Sequence, residues 1–369
     1  MPASPSIDAW VAKIWQRLTT PIGGSGRVRL EKPVEGAPVV GNWRERPGKP
    51  IDWQGLFKRP KRSAEGMSAL YINDEGVGLV HVEFPDGQLP KLDVCAFAPF
   101  VKGQTAVKLA QTLIKMHKLE KSRFVGVLDR GAYVLFPADA PEVPREEWGA
   151  AMKWRIKDQI NFPVTQAVVE IFDMPGNTSR IYVAVAKESE VRKLAQLFQA
   201  VKAKLLAIDI PELALRNLVK NLPDDAEGVV MLHLERKSGV VMMIKRGRFY
   251  LARRLENGLE LLQSALTPDG GGLSSSPFMD RIALEVQRTM DYFESHFGQA
   301  QAGGLQIAPL LLPIEGFRQA LAERLGMRIK FLPIADILQC PEELSESELA
   351  RALPAIGAAL RGRGEEAEA

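Results

Sequence analysis

A chain of 369 residues is long enough for two or three domains, and its 46% hydrophobic and 25% charged content is that of a soluble globular protein. A formal net charge of +3 supplies no large basic field and argues against nucleic acid as a partner. Cys95 and Cys340 lie far apart with no CxxC spacing, which excludes a cysteine-built metal site and a disulfide framework and fits a reducing compartment. The longest nearly apolar stretch, LQIAPLLLPI, falls well short of the roughly 20 residues that span a bilayer. The opening MPASPSIDAW lacks the charged-then-apolar order of a secretory leader, so the chain reads as cytoplasmic.

Residues 1–66 read as a tail. Ile7, Trp10, Val11, Ile14 and Leu18 recur at helical spacing, with Lys13 and Arg17 on another face. A helix this short needs a surface, and residues 7–18 fit a membrane interface, a partner's groove or the protein's own body. From Thr20 onward, Pro21, Pro33, Pro38, Pro47, Pro50 and Pro60 alternate with glycines and no apolar period survives, which predicts a flexible linker. It closes on the basic run Lys58, Arg59, Lys61 and Arg62, either a solvated linker end or an attraction for anionic lipid or an acidic partner. Trp43 and Trp53 are candidate docking anchors within it.

From Met67 the pattern is that of a folded body. SALYIND, GVGLVHVEF and KLDVCAFAPF predict a three-stranded antiparallel meander, followed by a helix over TAVKLAQTLIKMH and strands over RFVGVLDR and AYVLFPAD. Pro144, Glu146 and Glu147 open a predicted helix whose stripe is Trp148, Met152, Ile156 and Ile160 and which ends at Asn161-Phe162-Pro163. The hairpin AVVEIFDM/RIYVAVAK and a helix with Val191, Leu194, Phe198 and Val201 inward complete an α+β unit over 141–206. LLAIDI is a strand and PELALRNLVKNL a helix, returning the chain to the first lobe over 207–227. A second lobe over 228–361 starts with GVVMLHLERKSGVVMMIKRGRFYLARRLENG, apolar strands turned at Lys237-Ser238-Gly239 and Arg246-Gly247-Arg248. A long helix striped by Ile282, Val286, Met290, Phe293 and Phe297 follows, then strand, helix, strand and a final apolar helix before the acidic tail 362–369. The repeated meander-plus-helices plan predicts an α/β fold of two actin-like, ribonuclease H-like lobes with an inserted α+β subdomain.

Several stretches resemble the PilM/MshI family of type IV pilus assembly proteins, with MshI of the mannose-sensitive haemagglutinin (MSHA) pilus the nearest in look. They are EVPREEWGAAMKWRIKDQINFPVTQAVVEIFD, AIDIPELALRNL, LARRLENGLELL, LEVQRTMDYFESHFG and LPAIGAALRG, spread over most of residues 70–361. The resemblance implies an FtsA-related actin-like fold and a cytoplasmic scaffold at the inner membrane. It implies capture of the cytoplasmic N-terminal peptide of a PilN-type bitopic membrane protein, with the pilus assembly ATPase and other platform components as further partners.

Nucleotide-binding members of that superfamily carry an Asp-x-Gly turn in each of two hairpins, where glycine admits the phosphate and aspartate holds the metal or its waters. Here the first hairpin offers Asp74 and Gly76, shifted along the strand, and the second offers His233, Glu235 and Gly239. The loop expected to face the adenosine reads IAPLLLPIEG, bulky and apolar. These five residues are vestigial candidates, and no cofactor is expected; ATP with magnesium is the alternative. No other chemistry has a motif. GGSG and PDGGGLSSS lack the P-loop and dinucleotide spacings, and no GxSxG elbow is present. His81, His117, His233 and His296 show no HExxH pairing, His117 suits a helix C-terminus, and Glu285–Arg288 reads as a surface ion pair. The expectation is a non-enzymatic scaffold. Its rivals are an actin-like ATPase whose nucleotide state gates partner binding or polymerisation and, with less support from the motifs, a cell-division or shape-determining relative.

Overall fold

The computed structural model describes residues 66–176, 179–220, 222–266, 272–298 and 302–363, so the expected helix at 7–18, the linker and the acidic end of the chain lie outside it. Met67–Ile72 (β1), Gly76–Glu83 (β2) and Lys91–Pro99 (β3) form the expected antiparallel meander. Ala106–Met116 (α1), capped by the Thr105 side chain on Lys108 N–H, carries the chain to Arg123–Val127 (β4), which lies parallel to β1.

Tyr133–Asp139 (β5) then leaves this sheet. It pairs along its whole length with Arg180–Lys187 (β7), whose other neighbour is Ala167–Asp173 (β6), giving a separate sheet in the order β5-β7-β6. The inserted unit therefore begins at Tyr133, before the expected boundary at 141. Its one α-helix, Trp148–Arg155 (α2), is shorter than expected because no side chain caps it and 3-10 turns flank it. Met152 and Ile156 still pack on Ile181, Val183 and Val185 as the stripe requires. Glu188–Ala200 (α3) differs from the expectation too. Val191, Leu194 and Phe198 are buried in the core of the first lobe, not in the insert.

Lys204–Asp209 (β8) completes the first sheet, in the order β3-β2-β1-β4-β8, and Pro211–Val219 (α4) starts with proline at its first position. The second lobe repeats the plan. Val229–Leu234 (β9), Gly239–Lys245 (β10) and Arg248–Leu255 (β11) are the meander; Leu259–Ala265 (α5) and Pro277–Phe297 (α6) follow; Leu305–Ile307 (β12), Phe317–Leu325 (α7) and Ile329–Phe331 (β13) finish the order β11-β10-β9-β12-β13. Central strands such as VVMLHL are buried throughout, as strands covered on both faces must be.

After the short helix Ile334–Ile337 (α8), the last helix, Glu346–Ala359 (α9), departs from the expected division. Although it closes the second lobe in sequence, it packs on β1–β4 and on α4. Ala352, Leu353 and Ile356 join one core with Ala69 and Val80 of the first sheet and with Met231, Val240 and Met242 of the second. The lobes thus share a hydrophobic layer rather than meeting across an open seam. Gly357 makes the close approach: a Cβ there would stand 2.1 Å from the Ala214 carbonyl oxygen, and Asn217 Nδ2 donates to the Gly357 carbonyl at 2.9 Å. No helix among the described residues is long and apolar enough to cross a membrane.

Candidate functional site

The turn after β1 and the turn after β9 face each other across the lobes. Lys237 Nζ lies 2.6 Å from Asp74 Oδ2, and Arg236 lies 3.7 Å from both Asp74 and Glu75. Lys237–Asp74 is an exposed, salt-screened pair worth at most about 1 kcal/mol, whereas Arg236 and Glu75 are partly buried.

Beneath them sits a buried network. Asp129 Oδ2 accepts from Gly131 N–H at 3.0 Å and ends β4 in a 3-10 turn that places Arg130 between the lobes. Arg130 Nε donates to Glu235 Oε2 at 3.0 Å, Nη2 meets His233 Nδ1 at 2.9 Å, and Nη1 lies 3.6 Å from Glu212 Oε1. Tyr71 donates to Glu235 Oε1 at 2.7 Å and Ser238 to Oε2 at 3.1 Å. Tyr133 donates to Glu212. Arg254 stands 3.5 Å from Glu212, donates to the carbonyls of Arg130 and Tyr133 at 2.8 and 3.1 Å, and stacks its guanidinium over the Tyr133 ring.

Burial would lower the basicity of the Arg130 guanidinium, but Glu235 and Glu212 hold it well above its ordinary value. Burial would raise the Glu235 carboxyl, and Arg130 overrides this and keeps it below the usual range. Burial, opposed by Glu235, brings His233 down to about 4, so at neutral pH its ring is uncharged and Nδ1 can accept from the guanidinium. Burial and the neighbouring carboxylates push both tyrosine hydroxyls up, leaving Tyr71 and Tyr133 as donors.

Of the five candidates, the structure brings Asp74, His233 and Glu235 to this interlobe site. Gly76 and Gly239 stand at the bases of the turns and serve strand contact: a Cβ at Gly76 would meet the Ala98 carbonyl oxygen at 2.2 Å, and one at Gly239 would meet Leu234 at 2.7 Å. Arg130, Glu212 and Arg254 were not anticipated. Glu212 and Arg254 do lie within IDIPELALRNL and LARRLENG, while Arg130 reads from sequence as the end of a strand.

The backbone around both turns is committed as well. Asn73 Oδ1 accepts from Glu75 N–H at 3.0 Å and Gly76 N–H at 3.1 Å. The first free amides of α5, on Leu259 and Glu260, donate to the carbonyls of Glu235 and Arg236 at 2.9 Å each. The loop after β12 is packed inward through Ala308, Leu310, Leu311 and Ile314.

No family model matches the chain, and no curated protein matches it in sequence. Among solved structures it is similar to the PilM–PilN type IV pilus biogenesis complex, with a TM-score of 0.65 and 16% identity over 81% of this chain and 99% of that one. Weaker likenesses include a Bacteroides thetaiotaomicron protein with an actin-like ATPase fold (TM-score 0.44, 8% identity, 82% of this chain and 98% of that one). Another is the cytoplasmic domain of EpsL, an inner-membrane component of the Vibrio cholerae type II secretion system (TM-score 0.43, 9% identity, 78% and 93%). The fold is actin-like, two lobes with an insert, and the interlobe site is filled by the chain's own ion pairs. More particularly, it is the fold seen in the PilM–PilN complex.

Two outcomes follow for the buried network. Replacing Arg130 by Met leaves Glu235 buried without its cation, with Glu212 still paired to Arg254, and is expected to lower unfolding free energy by about 3–5 kcal/mol, whereas Lys237→Ala costs about 1 kcal/mol or less; urea titration reads both. The pH dependence has a definite sign. The unfolded chain protonates His233 below about 6.5, and the folded chain does so only near 4, so stability is lost as pH falls through that window, and the depressed Glu235 adds in the same direction at its acid end. His233→Gln should flatten the stability curve there; a slope equal to wild type would contradict the assignment.

Proposed function

We propose that this protein is a non-enzymatic scaffold of type IV pilus biogenesis at the cytoplasmic face of the inner membrane, and that it captures the cytoplasmic N-terminal peptide of a PilN-type membrane protein. The observation that carries the reading is an apolar groove between the inserted sheet and the first lobe. Val168 and Phe172 of β6 and Ala184 and Ala186 of β7 form one wall, and Ile210 and Leu213 at the start of α4 form the other. The two alanines leave a recess that larger residues would fill, and Asp209, paired with Arg361 at 3.8 Å, adds a polar end. An apolar recess with few polar groups suits apolar anchors of a short peptide and has no apparatus for chemistry. The fold shared with the PilM–PilN complex supports the same partner; the MSHA-type assignment rests on the sequence resemblance.

Magnesium-ATP does not fit the interlobe site. Four backbone amides at the two turns, on Glu75, Gly76, Leu259 and Glu260, are already bonded within the chain and so offer no cradle for phosphate. Of the carboxylates there, Asp74 is held by Lys237 and Glu235 by Arg130 with Tyr71, Glu75 faces Arg236, and Asp129 accepts from Gly131 N–H. The insert also presents Trp154, 75% exposed, as a surface for other platform components such as the assembly motor. Binding of a fluorescently labelled partner peptide, followed by anisotropy, tests the groove. Ala184→Arg fills the recess and should weaken binding by more than about tenfold, or over 1.4 kcal/mol, with or without ATP; unchanged affinity in a folded variant rules this groove out.

A further inference from the structure

The inserted sheet runs β5-β7-β6, so β5 has a strand neighbour on one side only. Its pairing with β7 continues through Ala140 N–H, which donates to the Ser179 carbonyl at 2.8 Å. Antiparallel pairs alternate, so the even-numbered residues bond β7, and Tyr133, Leu135, Pro137 and Asp139 turn their backbone groups to the open edge. Two side-chain contacts agree with that parity: Arg254 donates to the Tyr133 carbonyl at 3.1 Å and Arg155 to the Asp139 carbonyl at 3.4 Å. Pro137, at an outward position, has no N–H to lose. The N–H and carbonyl of Leu135 and the carbonyl of Pro137 are left at the centre of the edge. Two cavities flank it. One, of about 290 Å³, lies between Leu135 and Pro137 on one side and Leu251 and Arg253 of β11 on the other, with Tyr292 of α6 beside them. The second, of about 330 Å³, lies on the opposite face of the sheet, over Met152 and Ile156. Pro137 lines both, so the two form one trough along β5. Its seven residues give about 20 Å of edge.

The trough is basic. Arg254 and Arg155 stand at its two ends, and Arg180 and Arg253 meet at Tyr292 between them. Arg180 Nη1 donates to the Tyr292 hydroxyl at 3.2 Å, and the Arg253 guanidinium lies over the ring, 5.9 Å from its centre. In both arginines Nε is buried and has no hydrogen-bond partner. Arg180 Nε is 3.7 Å from Asp139, too far for a hydrogen bond, and Arg253 makes one long bond through Nη2, at 3.5 Å to the Arg288 carbonyl. Of the carboxylates there, Glu212 faces Arg130 and Arg254, and Asp139 faces Arg180. Buried N–H groups are almost always matched, so two unmatched guanidinium donors in one cleft suit an incoming carboxylate.

We propose that the β5 edge is a second peptide site, separate from the apolar groove, and that it takes an extended acidic segment of a protein partner. The segment adds as a strand beside β5, with its backbone on Leu135 and the Pro137 carbonyl. Its alternate side chains go to opposite faces: acidic ones to Arg253 and Arg180 beside Tyr292, small apolar ones to the cavity over Met152 and Ile156. A second copy of this chain is the poorer occupant, since pairing two β5 edges sets arginines against arginines. Proline and charged side chains also guard edges against aggregation. Here Pro137 keeps the pairing short, as capture of a brief segment requires, and the two unmatched Nε donors have no part in that defence.

The test titrates the full chain into a fluorescein-labelled octapeptide that alternates glutamate with valine, followed by anisotropy. Saturable binding below about 100 µM is expected. A glutamine-valine peptide loses the charge-assisted bonds, and the glutamate peptide N-methylated at alternate amides, in either register, loses strand pairing. The first, and one register of the second, should bind at least about tenfold more weakly. Arg253→Gln should also cost at least about tenfold, with native circular dichroism. No binding at millimolar peptide, or an affinity unmoved by N-methylation and by Arg253→Gln, would overturn the proposal. Displacement of the probe by a synthetic copy of residues 364–369 at lower concentration than by the unlabelled octapeptide would overturn the choice of occupant in favour of this chain's own acidic segment.

Discussion

A guanidinium taken out of water between two lobes is tolerated only if carboxylates and acceptors surround it, and once so matched it becomes costly to displace. Arg130 is that group. It meets Glu235 and His233 of the second lobe on one side and Glu212 of the first lobe's returning helix on the other. Its position is between the two facing hairpin turns, after β1 and after β9. A cation supplied by the chain thus answers the buried carboxylates, and each also accepts from a tyrosine hydroxyl. Such a network is weak evidence of extra stability over an apolar core; its contribution is to hold Arg130, Glu235, His233 and Glu212 of the two lobes in contact.

The hydrophobic layer below reinforces that arrangement. Because α4 and α9 pack together and bury residues of both sheets in one core, relative motion of the lobes would have to break close contacts such as Gly357 on Ala214. With the ion network above and the shared core beneath, the body is built as a rigid platform. In the proposed function, partner recognition falls to the insert, whose small sheet forms one wall of the apolar groove. A scaffold needs a fixed groove and no cycle, and the division of labour between the interlobe lock and the insert suits that role.

Much of this was legible in the sequence. Alternation and turn residues marked the two meanders and the repeated plan, and the nucleotide pattern implied by the resemblance drew attention to Asp74, Gly76, His233, Glu235 and Gly239, three of which face one another between the lobes. What local pattern could not reveal was pairing across long separations. β5 reads as a strand, but nothing near it says that its neighbour is β7 rather than β4. The final helix follows the second lobe in sequence and packs on the first, a choice decided by complementary shape at Gly357. Arg130 escaped notice because Asp129-Arg130 looks like a strand end. Glu212 looked like a favourable charge in the first turn of a helix, although its carboxylate is 1% exposed and serves the network. In each case the deciding partner lies far along the chain, so the role appears only once the two lobes are assembled.

The most direct measurement is calorimetric titration of magnesium-ATP into the full-length protein, with circular dichroism confirming that it is folded. The chain's own cation and bonded amides predict no heat beyond dilution at millimolar nucleotide. Saturable binding at micromolar nucleotide, abolished by Asp74→Ala, would contradict the account and restore an ATPase-like cycle to this fold.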